Sequence, residues 1–154
     1  PRVRPFEYAY QSLGVNRPTD NNWVKLFNNE IDIDEMVRMG ESILSWIKVR
    51  NARLVRSMAF ESEYNGLRCV CANMAQGYSE FFDSLENIND YDFMCNFFMN
   101  KKNRWNLSFY TAKDGIDVSK IAATFGGGGH VRAAGASKLE KLPDFLIRGK
   151  FPVK

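Results

Sequence analysis

"FGGGGHVRAAG", residues 125–135, decides how this chain is read. Four successive glycines, Gly126 to Gly129, run into His130, the only histidine among 154 residues. Upstream, "DVSKIAATFG" (117–126) sets Val118, Ile121, Ala122 and Phe125 on one helical stripe. Asp117 stands at the N-cap position, and Gly126 stands where a left-handed residue would end the helix. Downstream, "RAAGASKL" (132–139) reads as a strand. The helix stop needs only Gly126, and a flexible linker would mix in Ser, Asn or Pro. The run is therefore read as a loop pinned at both ends. Its amides can turn inward as an anion nest, with His130 and Arg132 adding attraction. The helix dipole does not help, since its negative end faces the loop. On the residues alone, anion binding by Gly126, Gly127, Gly128, Gly129, His130 and Arg132 stands beside plain turn chemistry. No Gly-Lys-Ser/Thr ending follows, and a helix rather than a strand precedes, which excludes the P-loop and the dinucleotide fingerprint.

Outward from this stretch, the period alternates between helix and strand. "DIDEMVRMGESILSWIKVR" (32–50) predicts a long amphipathic helix from Ile33 to about Ala52, with Asp32 and Glu35 placed as a capping box. "LVRSMAFES" (54–62), "LRCVCANM" (67–74), "DFMCNFFM" (92–99) and "RWNLSFYT" (104–111) read as strands. "SEFFDSLEN" (79–87) reads as a short helix capped by Ser79, "NKKNR" (100–104) as a hairpin tip, and a last short helix starts near Pro143. Residues 1–30 suggest short helices around Phe6–Ser12 and Trp23–Phe27, separated by turns. The fold class expected is α/β: a mixed sheet of about five strands flanked by helices, preceded by a helical segment. The division expected is a helical segment at 1–51 and a domain at 52–154.

Composition narrows the function classes. Lys and Arg number 21 against 18 Asp and Glu, a net charge of +3 that permits an anionic partner without demanding one. Cys69, Cys71 and Cys95 are an odd set, which argues against a disulfide framework and for a reduced, cytoplasmic setting. They read as small core hydrophobes rather than zinc ligands. No apolar run approaches a membrane span. On 104–111, Trp105, Leu107 and Phe109 alternate with Arg104, Asn106, Ser108 and Tyr110. The second set forms a polar face, either solvated or the floor of a site beside the glycines.

"IDVSKIAATFGGGGHVRAAGAS" (116–137) resembles the signature of the C-terminal associated domain of the DHH (Asp-His-His) phosphoesterase superfamily: Gly-Gly-Gly-Gly-His, two variable residues, Ala-Ala-Gly. Gly126, Gly127, Gly128, Gly129, His130, Ala133, Ala134 and Gly135 fill every fixed position. "NLSFYT" (106–111) is similar to the family's Ser-Leu-Arg-Ser or Ser-Leu-Tyr-Ser element, with Ser108 fitting and Tyr110 in place of the arginine seen in many members. The resemblance runs over about 52–148. Residues 1–50 more weakly resemble the end of the catalytic lobe and its linker helix. It implies a two-lobed hydrolase of phosphodiester or phosphoanhydride bonds, acting on nano-RNA, cyclic dinucleotides, single-stranded nucleic acid or polyphosphate. The N-terminal lobe of such enzymes holds two manganese ions, and the C-terminal lobe grips the substrate. This chain has no Asp-His-His motif and one histidine, so no metal or catalytic residue is assigned to it. With its start at Pro1, it is expected to be the substrate-binding lobe of a longer enzyme. Its partners would be a phosphorylated substrate and the missing lobe, with a homodimer left open. The alternatives are a stand-alone nucleotide or nucleic-acid binding module and a purely structural interaction domain.

Overall fold

The computed structural model describes residues 2–14, 21–75, 79–147 and 149. The chain divides into two compact units, Pro1–Arg50 and Asn51–Lys154. Much of the turn segment expected between the first two helices, residues 15–20, lies outside the described residues.

The first unit is helical. Helices α1 (Val3–Ser12) and α2 (Asn21–Phe27) lead into α3, which starts at Ile33. Asp32 caps α3: its carboxylate accepts from the backbone N–H groups of Asp34 at 2.8 Å and Glu35 at 3.1 Å. Ala9, Tyr10 and Met36 are buried together, with the Tyr10 and Trp23 rings 4.9 Å apart. Gly40 permits the closest approach, because a Cβ there would fall 1.7 Å from the Pro5 carbonyl oxygen.

Helix α3 runs on to Met58, so "LVRSM" is helical and not the start of a strand. Its branched residues imitate a strand locally. No Gly or Pro interrupts residues 41–58. Leu54, Val55 and Met58 then share one helical stripe against Phe81, Phe82 and Tyr91. That packing outweighs the small local preference.

The second unit is a mixed sheet. Its strands are β1 (Ala59–Tyr64), β2 (Leu67–Asn73), β3 (Phe93–Met99), β4 (Trp105–Tyr110), β5 (Gly128–His130) and β6 (Ala133–Leu139). They lie in the order β1-β2-β3-β4-β6-β5. Only β2 and β3 run parallel; the other neighbours are antiparallel. The sixth strand, one more than expected, is the glycine run itself. Between β2 and β3, "SEFFDS" forms a 3-10 helix, Ser79–Ser84, and Ser79 lies within its first turn rather than capping it. Neighbouring Phe81 and Phe82 are both buried there.

Helices α4 (Val118–Thr124) and α5 (Asp144–Ile147) pack on one sheet face, where Cys69, Cys95, Phe109, Val118 and Phe145 share a core. The three cysteines are fully buried and unpaired. The Cys71 neighbour and burial push the Cys69 thiol up, and burial does the same to Cys71. They act as small apolar residues, as read. No helix among the described residues is long and apolar enough to cross a membrane.

Candidate functional site

Helix α4 positions the glycine run. Asp117 caps it, accepting from the Ser119 N–H at 3.0 Å. At its end, Gly126 has φ +73°, and the Gly126 and Gly127 N–H groups reach back to the carbonyls of Ala123 at 3.0 Å and Ala122 at 2.9 Å. This pair of bonds is the Schellman stop that only a left-handed residue completes.

Past the stop, the run is not an open nest. Gly128–His130 form edge strand β5 on β6, with Gly128 opposite Gly135, Gly129 opposite Ala134 and His130 opposite Ala133. A Cβ at Gly127 would fall 2.1 Å from the Gly135 carbonyl oxygen. At Gly129, where φ is +146°, it would fall 2.6 Å from the Ala134 Cα. Only at Gly128 would a Cβ meet open space without backbone strain. Three of the four glycines are therefore explained by the fold, and Gly128 is left as the one whose bareness keeps an exposed backbone open.

The tip of the β5–β6 hairpin is tied down. The Val131 carbonyl accepts from the Val118 N–H at 3.0 Å, and the Arg132 carbonyl from the Thr111 N–H at 3.1 Å. The Arg132 guanidinium donates to the Ala112 carbonyl at 2.8 Å and to Asp114 at 2.6 Å. Asp114 is almost fully exposed, so this ion pair is weakly held and can exchange for another anion.

Register assembles the polar residues that the sequence left scattered. Asn96, Ser108, Gly135 and Gly128 form one cross-strand row; Met94, Tyr110, Ala133 and His130 form the next. Residues directly opposite share a face, so both rows lie on the side away from α4. Asn106, Ser108 and Tyr110 lie on the side opposite buried Leu107 and Phe109, but Tyr110 packs against the cluster of Val55, Phe81 and Tyr91, so the expected polar face is closed by apolar packing at that end.

Beside the second row lies a cleft of about 450 Å³, walled by Tyr91, Met94, Tyr110, Asp92, Lys113 and Arg132 among others. Of these, sequence reasoning named Tyr110 and Arg132 and missed the rest. Asp92 and Lys113 are paired at 3.0 Å. Asp92 also accepts from the Arg68 N–H at 2.8 Å, and the Thr111 hydroxyl donates to its carbonyl at 2.7 Å. The Lys113 ammonium is the main cause holding the Asp92 carboxyl below its usual range. Tyr91 donates to Glu61 at 2.6 Å, and burial first, then that bond, pushes its phenol up to about 12. The cleft thus combines aromatic walls with fixed charges.

No three His, Cys, Asp or Glu side chains among the described residues are placed to share a metal ion. The described residues thus offer no ligand set for the manganese pair that the resemblance implies.

Comparison with known proteins decides the family. Residues 72–148, half of the chain, match the DHHA1 domain. The chain belongs to the DHHA1 domain family. This domain accompanies DHH-family phosphoesterases, as the signature implies. A relative in Bacillus subtilis, the oligoribonuclease NrnB, is 29% identical over 115 residues, covering 73% of this chain and 27% of the relative. The pGpG-specific phosphodiesterase PggH of Vibrio cholerae shares the fold with a TM-score of 0.55 at 9% identity, over 88% of this chain and 51% of that one. The chain thus spans about a quarter of the curated relative and half of the structural one. In this DHHA1 domain the signature residues run from the stop of α4 at Gly126 and Gly127 into the β5–β6 hairpin.

Proposed function

We propose that this DHHA1 domain is the substrate-gripping C-terminal lobe of a phosphoesterase that cleaves short phosphodiester-linked nucleotides, with two manganese ions held by a catalytic lobe outside this chain. The observation that carries the reading is the edge hairpin: exposed Gly128 and His130 stand in register with Ser108 and Tyr110, beside the cleft that Arg132 borders. His130 donates a hydrogen bond to a phosphate oxygen, the Gly128 backbone approaches it closely, and Arg132 exchanges its exposed carboxylate partner for the phosphate. Half-buried Tyr110 on the cleft wall offers aromatic surface to a nucleobase, which a polyphosphate would not use. The names of the two relatives, an oligoribonuclease and a dinucleotide phosphodiesterase, point to the same substrate class. Titration calorimetry of the chain with a 5′-phosphorylated dinucleotide and with short-chain polyphosphate tests it. The nucleotide is expected to bind more tightly; tighter polyphosphate, or no binding of either at low salt, defeats the reading.

A further inference from the structure

Helix α3 buries one face and leaves another bare. Met36, Val37 and Gly40 are buried, Gly40 against Pro5. On the bare side, Met39, Trp46 and Val49 are 41%, 62% and 51% exposed. With Glu35, Ser42 and Arg53, also exposed, they follow one another at alternating steps of four and three residues. That is the a/d spacing of a heptad, which keeps one seam turned toward a partner helix along its whole length. A single exposed apolar residue needs no explanation, but a tryptophan set in an exposed heptad seam is a contact feature.

Charge and size fit this seam to a helix of the same sequence. Charge divides along α3: residues 33–45 hold Asp34, Glu35 and Glu41 against Arg38, and residues 46–58 hold Lys48, Arg50, Arg53 and Arg56 with no carboxylate. Two parallel copies would stack basic half on basic half. Antiparallel copies set acidic on basic and bring opposite ends of the helix dipoles together. The charged seam residues Glu35 and Arg53 form no ion pair with another described residue. Ser42 is small, and its hydroxyl already donates to the Arg38 carbonyl at 3.2 Å. A large apolar ring can therefore cover it without leaving a donor unpaired. Trp46 supplies such a ring, held by the Arg50 guanidinium 5.4 Å from its centroid.

We propose that α3 is the interface of a homodimer, in which two copies of this chain pack antiparallel about a two-fold axis level with Leu44. Trp46 covers the partner's Ser42, Met39 meets the partner's Val49, and Glu35 pairs with the partner's Arg53; symmetry repeats each contact. Ile43, half-buried at the flank of the seam, meets the partner's Ile43 near the axis. The pairing uses no residue of the β5–β6 hairpin and is independent of the proposed substrate grip.

Sedimentation equilibrium of the full 154-residue chain tests this. A monomer–dimer equilibrium with a Kd of about 1–100 μM is expected for so small a seam. Trp46→Gln should abolish the dimer over that range, with Tm within a degree or so of the parent because the side chain is exposed. Glu35→Arg and Arg53→Glu each set like charges opposite one another, and each should weaken self-association by about ten-fold or more. An equimolar mixture of these two variants restores opposite charges at both ends of the seam and should form a heterodimer about as tight as the parent dimer. Circular dichroism of each variant checks that the fold is kept. A parent chain that stays monomeric at about 100 μM overturns the proposal and assigns the seam to another occupant, such as the catalytic lobe. A dimer that survives Trp46→Gln lies elsewhere on the molecule and also overturns it. A mixture of folded charge variants that stays monomeric overturns the antiparallel pairing.

Discussion

Gly127 lies so close to Gly135 that a Cβ on the former would fall 2.1 Å from the carbonyl oxygen of the latter. The obstacle is backbone on a paired strand, which cannot swing aside as a side-chain tip would. Gly127→Ala should therefore destabilise the domain by about 1–3 kcal/mol or more. Gly129→Ala, with backbone contact and a left-handed φ together, should cost at least as much. Gly126→Ala, where only φ objects, should cost about 1 kcal/mol. Gly128→Ala should leave thermal unfolding almost unmoved and weaken dinucleotide binding. Calorimetric melting of the four variants checks the ranking; equal losses at all four positions would contradict it.

His130 is exposed on edge strand β5 and contributes little to packing. His130→Ala should weaken phosphate-ligand affinity about ten-fold or more, the worth of a charge-assisted hydrogen bond of about 1.5–3 kcal/mol. Its Tm should stay within a degree or so of the parent. Parallel titration and melting separate the roles: a lost fold with intact affinity would make His130 structural.

The Asp92–Lys113 pair ties the start of β3 to the segment after β4. In the folded state the Asp92 carboxyl titrates lower than when unfolded. Its stabilisation is therefore whole above the unfolded value of about 3.9. It is lost as pH falls through the lower folded value. Asp92→Asn should cost about 1.5–3 kcal/mol at neutral pH and make the acid limb of a urea-unfolding series shallower below about pH 4. An unchanged acid limb would remove Asp92 from the account.

The chain alone should not hydrolyse nucleotide phosphodiesters when manganese is added. The single histidine and the lack of a three-ligand group among the described residues motivate this expectation. Chromatography of a dinucleotide incubated with purified chain is expected to show no product. Turnover proportional to protein concentration, and abolished by chelator, would refute this.

Much of this domain is written locally. Helix α4 was legible because Asp117 caps it, its apolar stripe repeats at helical spacing, and Gly126 ends it; each signal acts within a few residues. The alternation along β4 and the hairpin at 100–104 were legible for the same reason. The GGGGH signature pointed to the family before any fold was known, because its residues are contiguous. What the sequence could not decide depends on partners far away in the chain. Whether "LVRSM" continued as helix rested on Phe81, Phe82 and Tyr91, which lie well downstream. Whether the glycines formed a loop or a strand rested on the backbone of β6, against which only a glycine fits at 127 and 129. The cleft walls Asp92 and Lys113 are unremarkable polar residues in turns until β3 and β4 pair and bring them within 3.0 Å. Local propensity is worth tenths of a kcal/mol per residue, whereas burial of a side chain or a blocked Cβ is worth several times that. Tertiary contact therefore had the last word wherever the two disagreed.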